Sequence, residues 1–489
     1  MTLIPAQNRF PKDVVRVHLM GVCGTGMGAL AGMLKSAGFT ITGSDQQVYP
    51  PMSDFLASQG IEVRSGYSAD NLEPRPDLVV VGNVIRRDNP EAVALAALDI
   101  PYVSFPQALS HFFIQQRISL VITGTHGKTT TSSLLASMLH SAGAEPSFMI
   151  GGLVQAFGRN FNVADGRYFV AEGDEYDTAF FDKGPKFLHY RPHVAIITSI
   201  EFDHADIYAD LEAIKTSFRK LVAAMPPDGT LIVCWDDPVV REVVQSAPCA
   251  LVRYGCGEGC NWRLIDLTVR PGVTSFGVER DGELFGHFES TMPGRHNGLN
   301  ALSVIATMTL LGFERQVIAD GLRTFLGVKR RQEVRGEARG VTVIDDFAHH
   351  PTAVRETLAA LAAAYAGRRL VAVFEPRTNS SRRKVFQDAY ASAFVDAQEV
   401  LVREPVPLSN LGASERFSSQ QLVDDMVAQG TAARYFASTE AILSHLDATA
   451  RPGDVVAIMS NGGFDNIHQR LLTLLGATKK RGLWVVAPR

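Results

Sequence analysis

The chain reads as an α/β protein of three domains, on three observations. An alternating strand–helix pattern restarts three times, at VVRVHLMGV (14–22), ISLVITG (118–124) and GVTVIDD (340–346), as successive parallel units require. Further apolar runs, DLVVVGN (77–83), YFVAEGD (168–174), HVAIITSIEFDH (193–204), RLVAVFEP (369–376) and DVVAIMSNGG (454–463), end in polar or glycine residues. Buried parallel strands have this pattern, with reactive groups gathered at their carboxyl ends. A length of 489 residues suits about three domains with a core each. We place the domains at 1–115, 116–334 and 335–489.

The first domain opens with the glycine loop GVCGTGMGA between a strand and a helix. Gly24-x-Gly26-x-x-Ala29 fits the dinucleotide fingerprint of a Rossmann-like domain, and Asp45 ends the next strand. Taken alone this suggests an NAD(P)-dependent oxidoreductase with Asp45 on a ribose hydroxyl. Any diphosphate at a helix N-terminus needs the same glycines, so the loop predicts a diphosphate-bearing ligand without choosing it.

The second domain opens with LVITGTHGKTTT, an apolar strand running into a Gly-Lys-Thr turn and a helix near Thr129. Gly124 and Gly127 let backbone N–H groups close on phosphate oxygens, where a side chain would obstruct. Lys128 supplies a point charge for the β/γ-phosphates, and the Thr129 hydroxyl suits Mg²⁺. Ile122 stands where the strict motif has its first glycine. Strand, turn, Lys-Thr pair and helix coincide, which predicts a P-loop using ATP or GTP. A nucleotide switch without catalysis would show the same loop.

Just past two neighbouring strands stand Glu172, Asp174, Glu175 and Asp177, then Glu201, Asp203, His204 and Asp206. Parallel strands bring these ends to the phosphate loop, and carboxylates suit Mg²⁺. His204 is the unusual member, since imidazole is not the preferred ligand of so hard an ion. Between about 225 and 290, short alternating strands with PPDG and RDGE turns predict a small antiparallel flap on this domain. Asn297 and Asn300, three apart in GRHNGLNAL, share a helical face and are candidates for an adenine edge or a helix cap. Arg330 and Arg331 in GVKRRQE lie where the second domain meets the third. They form either a solvated run or a phosphate clamp. The third domain, again Rossmann-like, opens with DDFAHHP, which places Asp345, Asp346, His349 and His350 before a helix starting at Pro351. Local context leaves capping and catalysis both open there.

Composition excludes some classes. A net charge of −4 gives no basic field for nucleic acid or anionic membrane. No run reaches the roughly 18 unbroken apolar residues of a membrane span. The glycine-interrupted N-terminal stretch reads as strand, loop and helix, not as a signal peptide, so a cytoplasmic enzyme is expected. Five scattered cysteines argue against a disulfide framework. Cys256 and Cys260 lack a second pair at zinc spacing.

Taken together and in order, TGTHGKTT, AEGDEYD, EFDHAD, GRHNGLN, GVKRR and DDFAHHP resemble the ATP-dependent Mur ligases of bacterial peptidoglycan synthesis, over essentially the whole chain. Within that family, GSDQQVYPPMSDFL, EYDTAFFDK, EFDHADIY, FEPRTN and SNGGF resemble the peptide-recycling branch. That branch joins UDP-N-acetylmuramate to the murein tripeptide L-alanyl-γ-D-glutamyl-meso-diaminopimelate through an acyl phosphate. The L-alanine-adding branch usually carries serine in place of Tyr176, methionine in place of Ala205, and a P-H-R-Y-T-R type segment in place of PRTNSSRR.

The resemblance implies roles. Gly21, Gly24, Thr25, Gly26, Met27 and Asp45 would hold the UDP-sugar. Gly124, Thr125, His126, Gly127, Lys128, Thr129, Thr130, Asn297, Asn300, Arg331 and Asp346 would hold ATP. Thr129, Glu172 and His204 would bind Mg²⁺. Arg331, ahead of Arg330, would reach the phosphates from the hinge. His349, His350 and Asp346 are the candidates for the amine's base, and Arg377, Asn379 and Ser460 for the peptide's carboxylates. Phe218 stands where several sister ligases carry a carbamylated lysine. Gly173 stands where alanine is more usual, which is expected to loosen that strand end. Closure of the third domain onto the other two would exclude water.

Overall fold

A computed structural model describes residues 3–4, 8–50, 52–408 and 411–477, so the ends of the first and third expected domains, and Pro51, fall outside it. Five parallel strands form the first sheet, in the order Glu62–Ser65, Thr40–Asp45, Arg16–Met20, Leu78–Val81, Tyr102–Ser104. Strand addition reverses direction at Arg16–Met20, and the loop after that strand sits where the reversal opens a crevice. Helix Thr25–Ser36 follows, with Met27 to Leu34 buried without interruption.

The central sheet has ten strands. Its middle strand Ile118–Thr123 pairs in parallel with Tyr168–Gly173 on one side and Val194–Ile197 on the other. The carboxyl ends of all three therefore meet above the P-loop. The expected antiparallel flap is narrower than its sequence suggested. Thr230–Cys234 and Ala250–Gly255 continue the sheet in parallel. Within 225–290, Trp262–Arg270, Val273–Arg280 and Glu283–Ser290 are the antiparallel strands. Helix Pro238–Val243, capped by the Asp237 carboxylate, carries the chain back to the starting end, where a hairpin would have reversed it. The expected strand 193–204 ends at Ile197, and the residues beyond fold over the phosphate loop.

Helices Lys128–Ser141 and Arg295–Leu310 cover one face of this sheet, interleaving Leu134, Leu135 and Met138 with Leu302 and Ile305 in one apolar core. On the other face the core runs unbroken into the first domain, joining Phe218 and Phe187 to Leu19 and Met33. Phe218 is fully buried there, its ring 5.7 Å from that of Phe187. Gly173 is not slack as expected: a Cβ there would lie 2.6 Å from Val121 Cγ1 and 3.1 Å from Phe187 Cβ, so its neighbours already occupy the space.

The third sheet runs Glu333–Ala338, Val341–Asp346, Val455–Met459, Leu370–Phe374, Glu399–Arg403, Ala433–Phe436, parallel except for its first pair. Its first strand straddles the division expected at 334/335. Among the described residues no helix is long and apolar enough to cross a membrane, and all five cysteines are free.

Candidate functional site

The P-loop adopts the backbone its glycines permit, with φ of +127° at Gly124 and +80° at Gly127. Helix Lys128–Ser141 begins with Gly127 as its N-cap and no side-chain cap, so its first N–H groups are left for an anion. Lys128 Nζ donates to Gly124 O at 2.6 Å and pairs with Glu175 Oε2 at 3.0 Å. Burial would lower the Lys128 pKa, but Glu175 and Asp174 raise it further, so the ammonium persists. Thr125 Oγ1 accepts from Glu201 N at 2.8 Å, and Thr130 is buried in the helix's first turn. Asn300 Oδ1 lies against Gly127, 2.7 Å from where a Cβ would be. Asn297 Nδ2 donates to Pro293 O and Gln332 Oε1, and Asn300 Nδ2 to Asn297 Oδ1, so the pair lies inside the helix, one turn past its cap Gly294.

The hinge arginines part company. Arg331 Nη2 donates to Thr129 Oγ1 at 3.0 Å, with its guanidinium 4.6 Å from the Phe347 ring centre. Arg330 turns the other way and donates to Ser460 O and Gly462 O. Arg331 is therefore the one on the phosphate loop.

Glu172 accepts from Gly151 N at 2.8 Å and stands 3.5 Å from Ser132 Oγ. Burial, then Asp174, push its carboxyl above the usual range, and Lys128 and Arg331 only partly offset this. A half-buried carboxylate whose pKa is raised by desolvation and by its acidic neighbour fits a cation. His204, in the left-handed region at φ +51°, puts Nε2 3.6 Å from Glu175 Oε1 and its ring 4.8 Å from Tyr176. Glu172 and His204 thus face the P-loop from two sides. The one three-residue set with converging ligand atoms among the described residues is His126, Glu201 and His350, within 4.8 Å of each other.

The third domain docks on residues 201–206. Thr352 Oγ1 donates to Glu201 Oε2 at 2.7 Å, His350 Nε2 to Phe202 O at 3.1 Å, and Asn379 Nδ2 to Asp206 Oδ2 at 2.8 Å. Ala205 N donates to Ser380 Oγ at 3.2 Å. His350 also caps its helix through Nδ1, which accepts from Thr352 N at 3.3 Å. His349 Nε2 lies 4.0 Å from Asp203 Oδ2. Asp346, raised chiefly by burial, accepts from Gln332 N and Ala348 N.

The three peptide-gripping candidates diverge. Arg377 is half-exposed, 3.7 Å from Glu375 Oε1. Asn379 is committed to Asp206. Ser460 is buried and donates to Glu375 Oε2 at 2.6 Å, so it supports the strand end and is not presented to a ligand.

In the first domain, Gly21 N and Val22 N donate to Ser44 O, and Gly24 caps the helix that starts at Thr25. Asp45 accepts from Cys23 N at 2.9 Å and Gln47 N at 3.0 Å, which makes it a brace of the glycine loop. A Cβ on Gly26 would touch Phe105 and Met149 at 3.7 and 3.9 Å, so this loop opens toward the central domain. Lys186, Thr352 and Gln332 were invisible as site residues. Lys186 comes back to the cleft through a hairpin, Asp177–Ala179 against Asp182–Pro185, that carries no turn signature.

The docking chemistry predicts a pH dependence. Burial, then the neighbouring His126, push the His350 pKa down to about 4. An ordinary histidine titrates near 6.5. The unfolded chain therefore binds more protons between these values, and stability rises with pH across that window. It should be fully present above about pH 6.5 and fall by several kcal/mol toward pH 4. A melting temperature that stays level from pH 7 to 4.5 in wild type would remove this role for His350.

Comparison with known proteins follows the same three parts. Residues 16–117 match the Mur ligase family catalytic domain, 122–308 the Mur ligase middle domain, and 330–462 the Mur ligase glutamate ligase domain. The chain is 40% identical over 467 residues, 95% of its length and 99% of the relative's, to the UDP-N-acetylmuramate–L-alanyl-gamma-D-glutamyl-meso-2,6-diaminoheptandioate ligase of Escherichia coli K12. It is 34% identical to the UDP-N-acetylmuramate–L-alanine ligase of Geobacter sulfurreducens, covering 92% of this chain and 95% of that one. The crystal structure of a murein peptide ligase from Psychrobacter arcticus 273-4 superposes with a TM-score of 0.70 at 34% identity, covering 97% of this chain and all of that one.

Proposed function

Because the chain belongs to the Mur ligase family, we propose that it catalyses ATP-dependent amide-bond formation between UDP-N-acetylmuramate and the tripeptide L-alanyl-γ-D-glutamyl-meso-diaminopimelate, in peptidoglycan recycling. The observation that carries this reading is the convergence on one phosphate loop of Lys128 from within it, Arg331 from the hinge and Glu172 from the next strand. The E. coli and Psychrobacter relatives support the tripeptide over L-alanine. The reaction would run in the cytoplasm, where ATP is available.

A carboxylate does not condense with an amine in water, because its oxygen leaves poorly. Transfer of the γ-phosphoryl group to the lactyl carboxylate makes an acyl phosphate, and the peptide's amine then displaces phosphate through a tetrahedral intermediate. Triphosphate and carboxylate must first approach each other. At about 4 Å their repulsion is about 1 kcal/mol per charge pair in water and about four times that near a protein surface. Lys128 and Arg331 offset it from fixed positions, so no reorganisation is needed at the moment of transfer. Thr129, Glu172 and His204 would hold Mg²⁺, which would further neutralise the phosphates. Burial lowers the His349 pKa despite Asp203 beside it, which favours the neutral imidazole that would take the amine's proton.

The deciding assay incubates the protein with ATP, UDP-N-acetylmuramate and either tripeptide or L-alanine, and weighs the products. The UDP-muramyl-tripeptide should form at least tenfold faster. Exclusive formation of UDP-muramyl-L-alanine would move the chain to the other branch, and ADP release independent of any amine would remove it from the ligases.

A further inference from the structure

Between the two glycine loops lies a cationic group that no motif announces. Lys186 follows the hairpin strand Asp182–Pro185 and turns into the crevice between the first and central domains, its side chain 13% exposed. Its ammonium is 3.0 Å from Asp174 Oδ2, 4.1 Å from the centre of the Tyr176 ring and 6.0 Å from that of Phe105. Each neighbour leads to a different part of the site. Phe105 is the ring against which Gly26 of the first glycine loop abuts. Tyr176 packs on His204 by its ring, and the nearby Asp174 carboxylate, after burial, raises the pKa of its hydroxyl. Asp174 is shared electrostatically with Lys128 of the P-loop. Lys186 is thus the cation lying between the place for the sugar nucleotide's diphosphate and the place for ATP's phosphates.

We infer that Lys186 grips the carboxylate of the sugar-nucleotide acid and holds it in line with the γ-phosphate. This rests on the ligase reading above and names the residue that orients its acid substrate. The bland alternative is that Lys186 merely neutralises Asp174. Local charge argues for more. Glu172, Asp174 and Glu175 crowd this end of the sheet, and without Lys186 an incoming carboxylate would meet three acids with only Lys128 and Arg331 to offset them. The ammonium has three donors, and Asp174 engages one, so donors remain for a second oxygen anion. The Tyr176 face stabilises the cation from the side and fixes its direction.

The test separates the substrates. In Lys186→Met, the KM for UDP-N-acetylmuramate, and its dissociation constant measured by calorimetry without ATP, should both rise roughly 10- to 100-fold, the span of one charge-assisted hydrogen bond. The KM values for ATP and for the tripeptide should stay within about twofold, and Lys186→Arg should recover most of the loss. Should the first variant fold poorly, Lys186→Met combined with Asp174→Asn removes both charges and is measured in the same way. Unchanged acid binding, or an equal loss for all three substrates, would overturn the assignment and leave Lys186 as the counter-ion of Asp174. Failure of the wild-type protein to make any amide is a separate outcome, because it strikes the ligase reading through the wild-type assay and not through the variants.

Discussion

Lys128→Ala should lower kcat/KM by roughly 10³-fold or more, the scale seen when a cation on a transferring phosphoryl group is removed. The structure adds a complication that a motif would not show. Glu175 is buried at 2% side-chain exposure, and Lys128 is its close partner at 3.0 Å. Removing only the cation strands a buried carboxylate, which typically costs about 3–5 kcal/mol. Part of the lost activity would then reflect a loosened fold. Lys128→Ala with Glu175→Gln separates the two effects: stability should return while turnover stays absent. If the double variant regained turnover together with its melting temperature, Lys128 would be a structural ion-pair partner and the phosphate role would be lost.

The second large effect is expected at Gly124→Ala. At φ +127° any side chain is strained, and here a Cβ would overlap Thr198 Oγ1 and lie 2.9 Å from both Ser199 N and Ser199 O. Those atoms are fixed: Thr198 N donates to Thr123 O at 3.0 Å, and Thr125 N to Ser199 O at 2.9 Å. The loop must move, because its neighbours cannot. Backbone strain and overpacking together should cost on the order of 3 kcal/mol. Misplacing the loop's N–H groups should raise the KM for ATP at least tenfold. Thermal shift with and without ATP reads both; a variant with wild-type melting temperature and wild-type ATP stabilisation would show that the loop tolerates what its backbone angle forbids. By contrast Gly143, also at positive φ, has nothing within 4 Å of where a Cβ would stand and makes a control for backbone strain alone.

How much of this was legible beforehand depended on whether function was encoded locally. The P-loop was readable because strand, turn and helix are contiguous and glycine has few reasons to recur at that spacing. The parallel strands were readable because burial on both faces leaves continuous apolar runs. What the sequence left hidden were contacts set by distant partners. The strand expected at 193–204 is only Val194–Ile197, because Thr198 and Ser199 bond to the phosphate loop at Thr125 and His126 instead of extending the sheet. Asp45 stood at the right offset for a ribose ligand, but its oxygens brace the Cys23 and Gln47 amides, a contact that only three-dimensional placement reveals. Ser460 follows the end of its strand as expected, yet its hydroxyl donates to Glu375. Lys186 had no local signal at all, because its meaning lies in the two domains it stands between.

The staples on residues 201–206 have one more consequence. Thr352, His350, Asn379 and Ser380 all belong to the third domain, while the segment they pin carries His204 in a left-handed conformation. Detaching that domain would remove these anchors, so the backbone that sets the position of His204 is held by two domains at once.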